Sequence, residues 1–299
     1  MKRVATIGVF DGVHSGHRHL LRQVISEATK REGTSMVVTF DSHPREIVAG
    51  DIVLLLTPDE EKTMLIRQVG IDEVSTLHFT PELSNMSARE FMSTILRDML
   101  HVDVLVIGYD HRFGKNRADG FADYVRYGQE LGMEVVQAEA YMQEGLPVSS
   151  SRIRQCLTQG KINEANDMLE HKYTLRGKVI EGYQRGRMLG FPTANIVLHP
   201  NKFIPRDGVY ATQVNTDYGS AIGMLNIGTN PTFGNCNRTI EVHLLDFNHN
   251  LYNQTISVEL HGYIREEIHF DNPSDLASQI HADIQKVRQI FDTTTNHSH

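Results

Sequence analysis

The sequence predicts an α/β chain in two parts, a doubly wound parallel sheet followed by a small antiparallel β unit closed by a C-terminal helix. Two observations predict the first part. Strand-like runs that are apolar almost throughout, such as VDVLVIG (102–108), alternate with segments of helical periodicity. Strands buried on both faces in this way belong to a parallel sheet covered by helices on either side. A third observation predicts the second part: after residue 170 the runs become short and alternating, and Gly, Pro and Asn punctuate them at the spacing of a sandwich or barrel.

The first strand, RVATIGVF (3–10), is a β-branched run that stops at Asp11 and Gly12. Residues 17–32 carry Leu20, Leu21, Val24, Ile25 and Ala28 at helical spacing, and Gly33 ends them. SMVVTF (35–40) is a strand broken by Asp41 to Pro44. A helix over 57–70 opens with Thr and Pro and ends at Gly70. Strand 73–79, helix 87–100, strand 102–108, helix 122–132 and strand 133–141 complete the alternation. The helical segment SRIRQCLTQGKINEANDMLE (151–170) leads to a boundary near residue 170, giving expected domains 1–170 and 171–292. Five strand runs come next, at 173–182, 208–215, 220–228, 238–247 and 255–264. A helix over 272–291 takes Asn272 or Ser274 as its cap, and residues 293–299 read as a disordered tail.

Composition narrows the function. Forty per cent apolar residues in a 299-residue chain suffice for two cores, and no run approaches the roughly 18 apolar residues of a membrane helix. Lys and Arg total 29 against 37 acidic residues, a net charge of −8. That balance lacks the basic stripe of a nucleic-acid surface but leaves room for a small anionic ligand, which needs only local donors. Cys156 and Cys236 have no metal-binding spacing and read as inert buried thiols. MKRVATIG enters a strand at once without a charged and apolar leader, so the expected location is cytoplasmic. Nothing requires a membrane or nucleic-acid partner, and a homo-oligomer is left open.

GVFDGVHSGH (8–17) lies between the first strand and the first helix, where parallel sheets bind ligands beyond the carboxyl ends of their strands. Gly8, Gly12 and Gly16 permit close backbone approach, with Phe10 and Asp11 between them. The helix start offers free N–H groups to a phosphate, and His14 and His17 add donors that stabilise charge developing at phosphorus. His14, His17 and His19 also spell H-x-x-H-x-H, so a zinc site and a plain glycine turn remain alternatives.

The stretch resembles the HxGH signature of the nucleotidylyltransferase superfamily. TFDSHP (39–44), LLTPDEEK (55–62), VIGYDHRFGKNRADG (106–120) and VSSSRIRQCLTQG (148–160) resemble one branch of it, the bacterial bifunctional riboflavin kinase/FMN adenylyltransferases, or FAD synthetases. The likeness runs through essentially the whole chain. It implies an N-terminal FMN adenylyltransferase domain of nucleotidylyltransferase fold and a C-terminal riboflavin kinase domain built as a six-stranded Greek-key barrel. ATP is the implied co-substrate, Mg²⁺ the implied cofactor, and riboflavin, FMN and FAD the substrates and products.

Ser149, Ser150, Ser151 and Arg154 read as a second phosphate clamp at a helix start, with a plain serine-rich helix cap as the alternative. Asp41, His43 and Pro44, the expected flavin-binding residues, follow a strand end, where Asp41 acts through Mg²⁺ or a ribityl or phosphate group or is a simple turn carboxylate. Asp110 and Arg112 end another strand, and the resemblance assigns their loop to the nucleotide or flavin, with plain loop packing the alternative. His111 stands where the family pattern has an aromatic residue, usually Phe; Asp110 stands where some relatives have Asn, and Pro147 where some have Arg. These departures leave one alternative, a riboflavin kinase with a silent adenylyltransferase domain. A non-catalytic flavin-delivery protein is a more distant one.

GYQRGRMLGFPTAN (182–195) is not a P-loop. Gly182, Gly186 and Gly190 with Arg185 and Arg187 between them can fold over a polyphosphate; Thr193 offers a hydroxyl of the kind that ligates Mg²⁺, and Asn195 an amide. The segment resembles the GxPTAN motif of riboflavin kinases. In TIEVHLLDF, Ile240, Val242 and Leu244 share one strand face while Glu241 and His243 share the other. Composition leaves Glu241 as an exposed strand glutamate or a base; the resemblance makes it the general base. By the same likeness Asn230 and Thr232 shape the site; Arg265 either supports the flavin or makes an ion pair.

Overall fold

The structure, a computed structural model, describes the chain apart from residues 45, 47–49, 51, 144, 183–189, 230–237, 271 and 296–299. The chain divides into two compact units, 1–150 and 151–299.

The first unit is a five-stranded parallel sheet. Its strands are β1 (Arg3–Ile7), β2 (Thr34–Phe40), β3 (Glu73–Leu77), β4 (Val104–Ile107) and β5 (Glu134–Gln137), in the order β3-β2-β1-β4-β5. The chain builds outward from β1 to β3, then returns to the other side of β1 to add β4 and β5. The switch therefore falls between β1 and β4, which pair at Val4 with Val104 and Ala5 with Leu105. Alternation along the strands sends side chains to both faces. Val4, Val37, Val104 and Val106 pack with Leu21 and Val24 of α1 (Ser15–Lys30) and Ile66 of α2 (Asp59–Val69). On the opposite face Ala5, Ile7, Met36, Val38, Leu105 and Ile107 meet the other helices. Those are α3 (Pro81–Asn85), α4 (Ala88–Glu90), which runs into a π-helix over Phe91–Met99, and α5 (Phe121–Leu131).

The second unit opens with α6 (Ser150–Thr158), whose first residue closes the first unit, and α7 (Ile162–Leu169). Buried Asn166 ties α7 to the strands of this unit: its amide donates to Leu260 O at 2.9 Å and its carbonyl accepts from Tyr173 N at 2.7 Å. Six strands close into a barrel: β6 (Thr174–Ile180), β7 (Ala194–Leu198), β8 (Gly208–Thr216), β9 (Gly219–Thr229), β10 (Arg238–Leu244) and β11 (Thr255–Arg265). Strands β8, β9 and β10 are successive antiparallel neighbours, and β11 returns to pair with β8, a Greek key. Strand β7 is absent from the five runs read in the sequence. ANIVL is only five residues long and adjoins Gly190 to Thr193, so its signal merges with the loop.

The last helix, α8 (Pro273–Thr295), is capped by Asn272, whose Oδ1 accepts from Asp275 N at 2.9 Å. It continues past residue 292, so 293–295 are helical. Val287 seats it on Ala211 and Leu245. Among the described residues no helix is long and apolar enough to cross a membrane.

Candidate active sites

The first constellation is the loop joining β1 to α1. Of its three glycines only Gly12 has positive φ, at 86°. Gly8 and Gly16 serve close packing instead: a Cβ on Gly8 would lie 3.0 Å from the Phe10 ring, and one on Gly16 would lie 3.4 Å from the His14 ring. Phe10 and Val13 take φ of 53° and 40°, left-handed values that cost non-glycine residues on the order of 1 kcal/mol or more each. Two buried bonds hold this strained turn. The Asp11 carboxylate accepts from Thr57 N at 3.1 Å, and the Thr57 hydroxyl accepts from Gly12 N at 2.8 Å. Asp11 therefore holds the loop through its side chain. Its carbonyl accepts from the Ser150 hydroxyl at 2.9 Å, which brings the serine segment to the same loop.

His14 is the N-cap of α1, its Nδ1 accepting from His17 N at 3.3 Å. An accepting Nδ1 places the ring proton on Nε2. The His14 and His17 rings stack at 3.6 Å between centroids, and Phe10 meets His17 edge-on at 5.2 Å. Burial pushes His14 down to about 4. Burial, then the neighbouring His14 and His111, hold His17 well below the ordinary imidazole value. Both are neutral donors at pH 7. His19 leaves the pair and packs on Tyr141 at 5.2 Å. No cluster of three metal-ligating residues exists among the described residues.

Beyond the ends of β1 and β2 lies a small cavity lined by Asp11, Asp41, His43, Thr57 and Lys62 among others. Asp41 is held there by His78, with Oδ2 2.6 Å from His78 Nδ1, and Oδ1 accepts from Phe79 N and the Ser42 hydroxyl. Burial alone would raise its carboxyl, but those bonds prevail and the carboxyl sits below its usual range. Pro44 begins a helical turn in which Glu46 N donates to His43 O at 2.8 Å.

Lys62 is a residue that the sequence pattern did not single out. Its buried ammonium donates to Phe40 O at 2.5 Å and pairs with Asp59 at 3.2 Å. Burial lowers its pKa against the pull of Asp59, Asp11 and Asp41. The signal that could have found it is its place four residues before buried Ile66, on the inner face of α2.

After β4, Asp110 and Arg112 are exposed, and the residue between them, His111, is turned inward with Phe113. Ser151 and Arg154 lie on α6. Ser151 is exposed, and the Arg154 guanidinium lies 6.0 Å over the Phe203 ring.

The second constellation joins β7 and β10. Their pairing sets Glu241 opposite Asn195, and the Thr193 hydroxyl donates to Glu241 Oε2 at 3.1 Å. Ile240, Val242 and Leu244 point into the barrel, leaving Glu241 and His243 half-buried on the other face, as the alternation predicts. A Cβ on Gly182 would collide with the Asn195 amide, so this glycine is what lets Asn195 sit there. Gly190 has φ of 85° with open space beside it. His243 Nδ1 lies 2.8 Å from Pro192 O, and Phe191 is wedged between His243 and His281. Thus Gly182, Thr193, Asn195 and Glu241 converge. Arg265 is committed elsewhere: its Nε donates to buried Asp283 of α8 at 2.8 Å and its Nη1 to Glu266 O. Arg185, Gly186, Arg187, Asn230, Thr232 and Cys236 lie outside the described residues.

Comparison with known proteins respects the same division. Residues 1–152 match the family model of FAD synthetase and residues 169–291 that of riboflavin kinase. The bifunctional riboflavin kinase/FMN adenylyltransferase of Listeria monocytogenes is 34% identical over 97% of this chain and 93% of its own length. That of Escherichia coli K12 is 36% identical over the same shares, 97% and 93%. A crystal structure from Streptococcus pneumoniae, described as a macrolide-efflux protein, is 30% identical with a TM-score of 0.86, covering 96% of this chain and 94% of that one. It supports the fold of both units, and its description is not carried over. On these matches, and on two constellations each sitting in its own unit, the chain belongs to the family of bifunctional riboflavin kinase/FMN adenylyltransferases.

Proposed function

We infer that the chain makes FAD in two ATP-dependent steps, with residues 1–170 as the adenylyltransferase domain and 171–292 as the kinase domain. The observation that carries this reading is the presence of two chemically different sites, a stacked imidazole pair at a sheet switch point and a Thr–Glu pair on a barrel. A kinase with a silent first domain finds no support, because His14, His17 and the loop that holds them are intact.

In the barrel, the riboflavin 5′-hydroxyl gives its proton to Glu241 as its oxygen attacks the γ-phosphorus of ATP, and ADP departs. The Thr193 hydroxyl donates to one carboxylate oxygen and so fixes Glu241, leaving the other oxygen for the proton. The same hydroxyl keeps lone pairs for Mg²⁺, and hard oxygen donors suit that ion; Mg²⁺ would neutralise phosphate charge there. Asn195 orients the nucleotide, with Gly182 and Gly190 around the phosphates.

In the first domain, an oxygen of the FMN phosphate attacks the α-phosphorus of a second ATP, the α–β bridging bond breaks, and pyrophosphate leaves. The nucleophile is already ionised, so no base is required. His14 and His17 donate to the oxygens gaining charge, which such preorganised donors stabilise by about 2.7–4 kcal/mol each. Gly8, Phe10, Gly12 and Gly16 shape the nucleotide loop, Asp11 braces it, and Ser149 and Ser150 hold the departing phosphates. The flavin end lies against Asp41, His43 and Pro44, with Asp110 and Arg112 on the other rim. A cytoplasmic location fits small-molecule substrates made and used there. Incubation with riboflavin and ATP, followed by separation of the flavins, tests the reading: FMN and then FAD form. FMN alone would support the single-activity alternative.

A further inference from the structure

The ladder between β7 and β10 stops one residue short of Thr193. Glu241 pairs with Asn195 and Val242 with Ala194, where β7 begins, so the same register continued would set His243 opposite Thr193. Beyond Ala194 the side chains of β10 take over from its backbone. The Thr193 hydroxyl donates to Glu241 Oε2 at 3.1 Å, and His243 Nδ1 lies 2.8 Å from Pro192 O. Two residues on the outer face of β10 thus hold two consecutive residues of the segment that enters β7.

The contact with Pro192 has one chemical reading. A carbonyl oxygen only accepts, so His243 Nδ1 carries the proton and Nε2 is the bare nitrogen of the neutral ring. Pro192 has no N–H of its own, so its carbonyl is the backbone group by which this residue can be tied down. That oxygen lies in the peptide plane that ends at Thr193 Cα, and holding it sets the tilt from which the Thr193 side chain departs. Two residues before Pro192 stands Gly190, at φ of 85° with open space beside it, so the segment arrives from its least restrained kind of residue. The imidazole is itself held. Buried Phe191 meets it edge-on at 5.7 Å, and His281 of α8 backs Phe191 at 5.1 Å.

We propose that His243 is a positioning residue of the phosphorylation site: by holding the Pro192 carbonyl it keeps the Thr193 hydroxyl on Glu241 and so fixes the base. This rests on Thr193 and Glu241 being the working pair of the kinase. His243 acts through Thr193 and takes no part in the proton transfer.

Riboflavin phosphorylation by the full chain tests it in four variants. His243→Phe keeps a ring against Phe191 and removes the donor; His243→Asn places an amide N–H as many bonds from the backbone as Nδ1–H. A misplacement of about 1 Å can cost about 10²-fold in rate, so kcat should fall at least tenfold in His243→Phe and stay within about threefold of wild type in His243→Asn. Thr193→Ala should lose at least as much as His243→Phe. Adding His243→Phe to Thr193→Ala should cost no more than about a further twofold, because the residue it acts through is already gone. Losses that multiply in the double variant would overturn the proposal, and so would full activity in His243→Phe or equal losses in His243→Phe and His243→Asn. Undiminished phosphorylation in Thr193→Ala would instead break the reading of the pair, and the proposal with it. Thermal unfolding shows whether the barrel of each variant is folded; were His243→Phe unfolded, a tenfold loss in folded His243→Asn would overturn the proposal alone. The ring nitrogens of wild type give a readout independent of turnover. Above the imidazole titration range, the NMR signals missing from His243→Asn should show the proton on Nδ1, and a proton on Nε2 would contradict the contact.

Discussion

The two sites differ in what they ask of their side chains. The first is built from loops at the carboxyl ends of parallel strands. Its two stacked imidazoles, the proposed donors to the reacting phosphate, are kept neutral by burial. The second is built on strands, with a half-buried carboxylate held by a threonine hydroxyl. The difference tracks the nucleophiles. A phosphate attacks without losing a proton, so a site for it needs donors and no base. A primary alcohol must lose its proton, so a site for it needs a carboxylate. Two ATP-dependent transfers on one chain therefore call for opposite equipment.

The sharpest break in this comparison is Glu241→Gln, which keeps the shape and the Thr193 contact but removes the base. Riboflavin phosphorylation should drop about 10³-fold, within the range for a positioned base, while FAD formation from supplied FMN continues at the wild-type rate. His17→Ala should do the reverse, lowering FMN adenylylation by about 10²-fold and leaving FMN production intact. Gly182→Ala sharpens the second site: the added methyl displaces the Asn195 amide. KM for ATP in the kinase reaction should then rise about tenfold, equivalent to about 1.4 kcal/mol, with adenylylation untouched.

The smallest expected effect is on stability and its pH dependence. His14 has a folded-state pKa near 4, below the roughly 6.5 of an unfolded imidazole, so the unfolded chain takes up the proton first. The stabilisation is complete above about pH 6.5 and is lost as pH falls toward 4. Between pH 7 and 5 His14 alone accounts for about 2 kcal/mol, and His17 and His111 act in the same direction. Urea unfolding of the ligand-free protein should show this loss. His14→Asn, which still caps the helix, should flatten the dependence; an unchanged slope would mean that His14 is not held neutral.

Most of the architecture was legible in the sequence because its signals are local. Short β-branched apolar runs such as VLVI, closed by a glycine, read as buried strands, and alternation in TIEVHLL sends Glu241 outward before any fold is known. Strand β7 was not legible, because its five residues gain strand character from pairing with β6 and β10. At the sites, the two histidines and the Thr–Glu pair were read from motif and face. Lys62 was missed because burying an ammonium depends on Phe40 O and Asp59, neither adjacent to it in sequence. For Arg265 the sequence left a flavin contact and an ion pair equally open, because Asp283, its partner, comes from a helix eighteen residues on. The inward turn of His111, between two exposed charged residues, likewise depends on a loop fold that no periodicity reveals.

Two independent sites with opposite requirements are tested most directly by mixing Glu241→Gln protein with His17→Ala protein and supplying riboflavin and ATP. Over a time in which wild type completes the conversion, each variant alone should yield at most a few per cent of the FAD, the first accumulating riboflavin and the second FMN, and the mixture should convert riboflavin to FAD. A mixture of folded variants that produced no FAD would contradict the independence of the two sites.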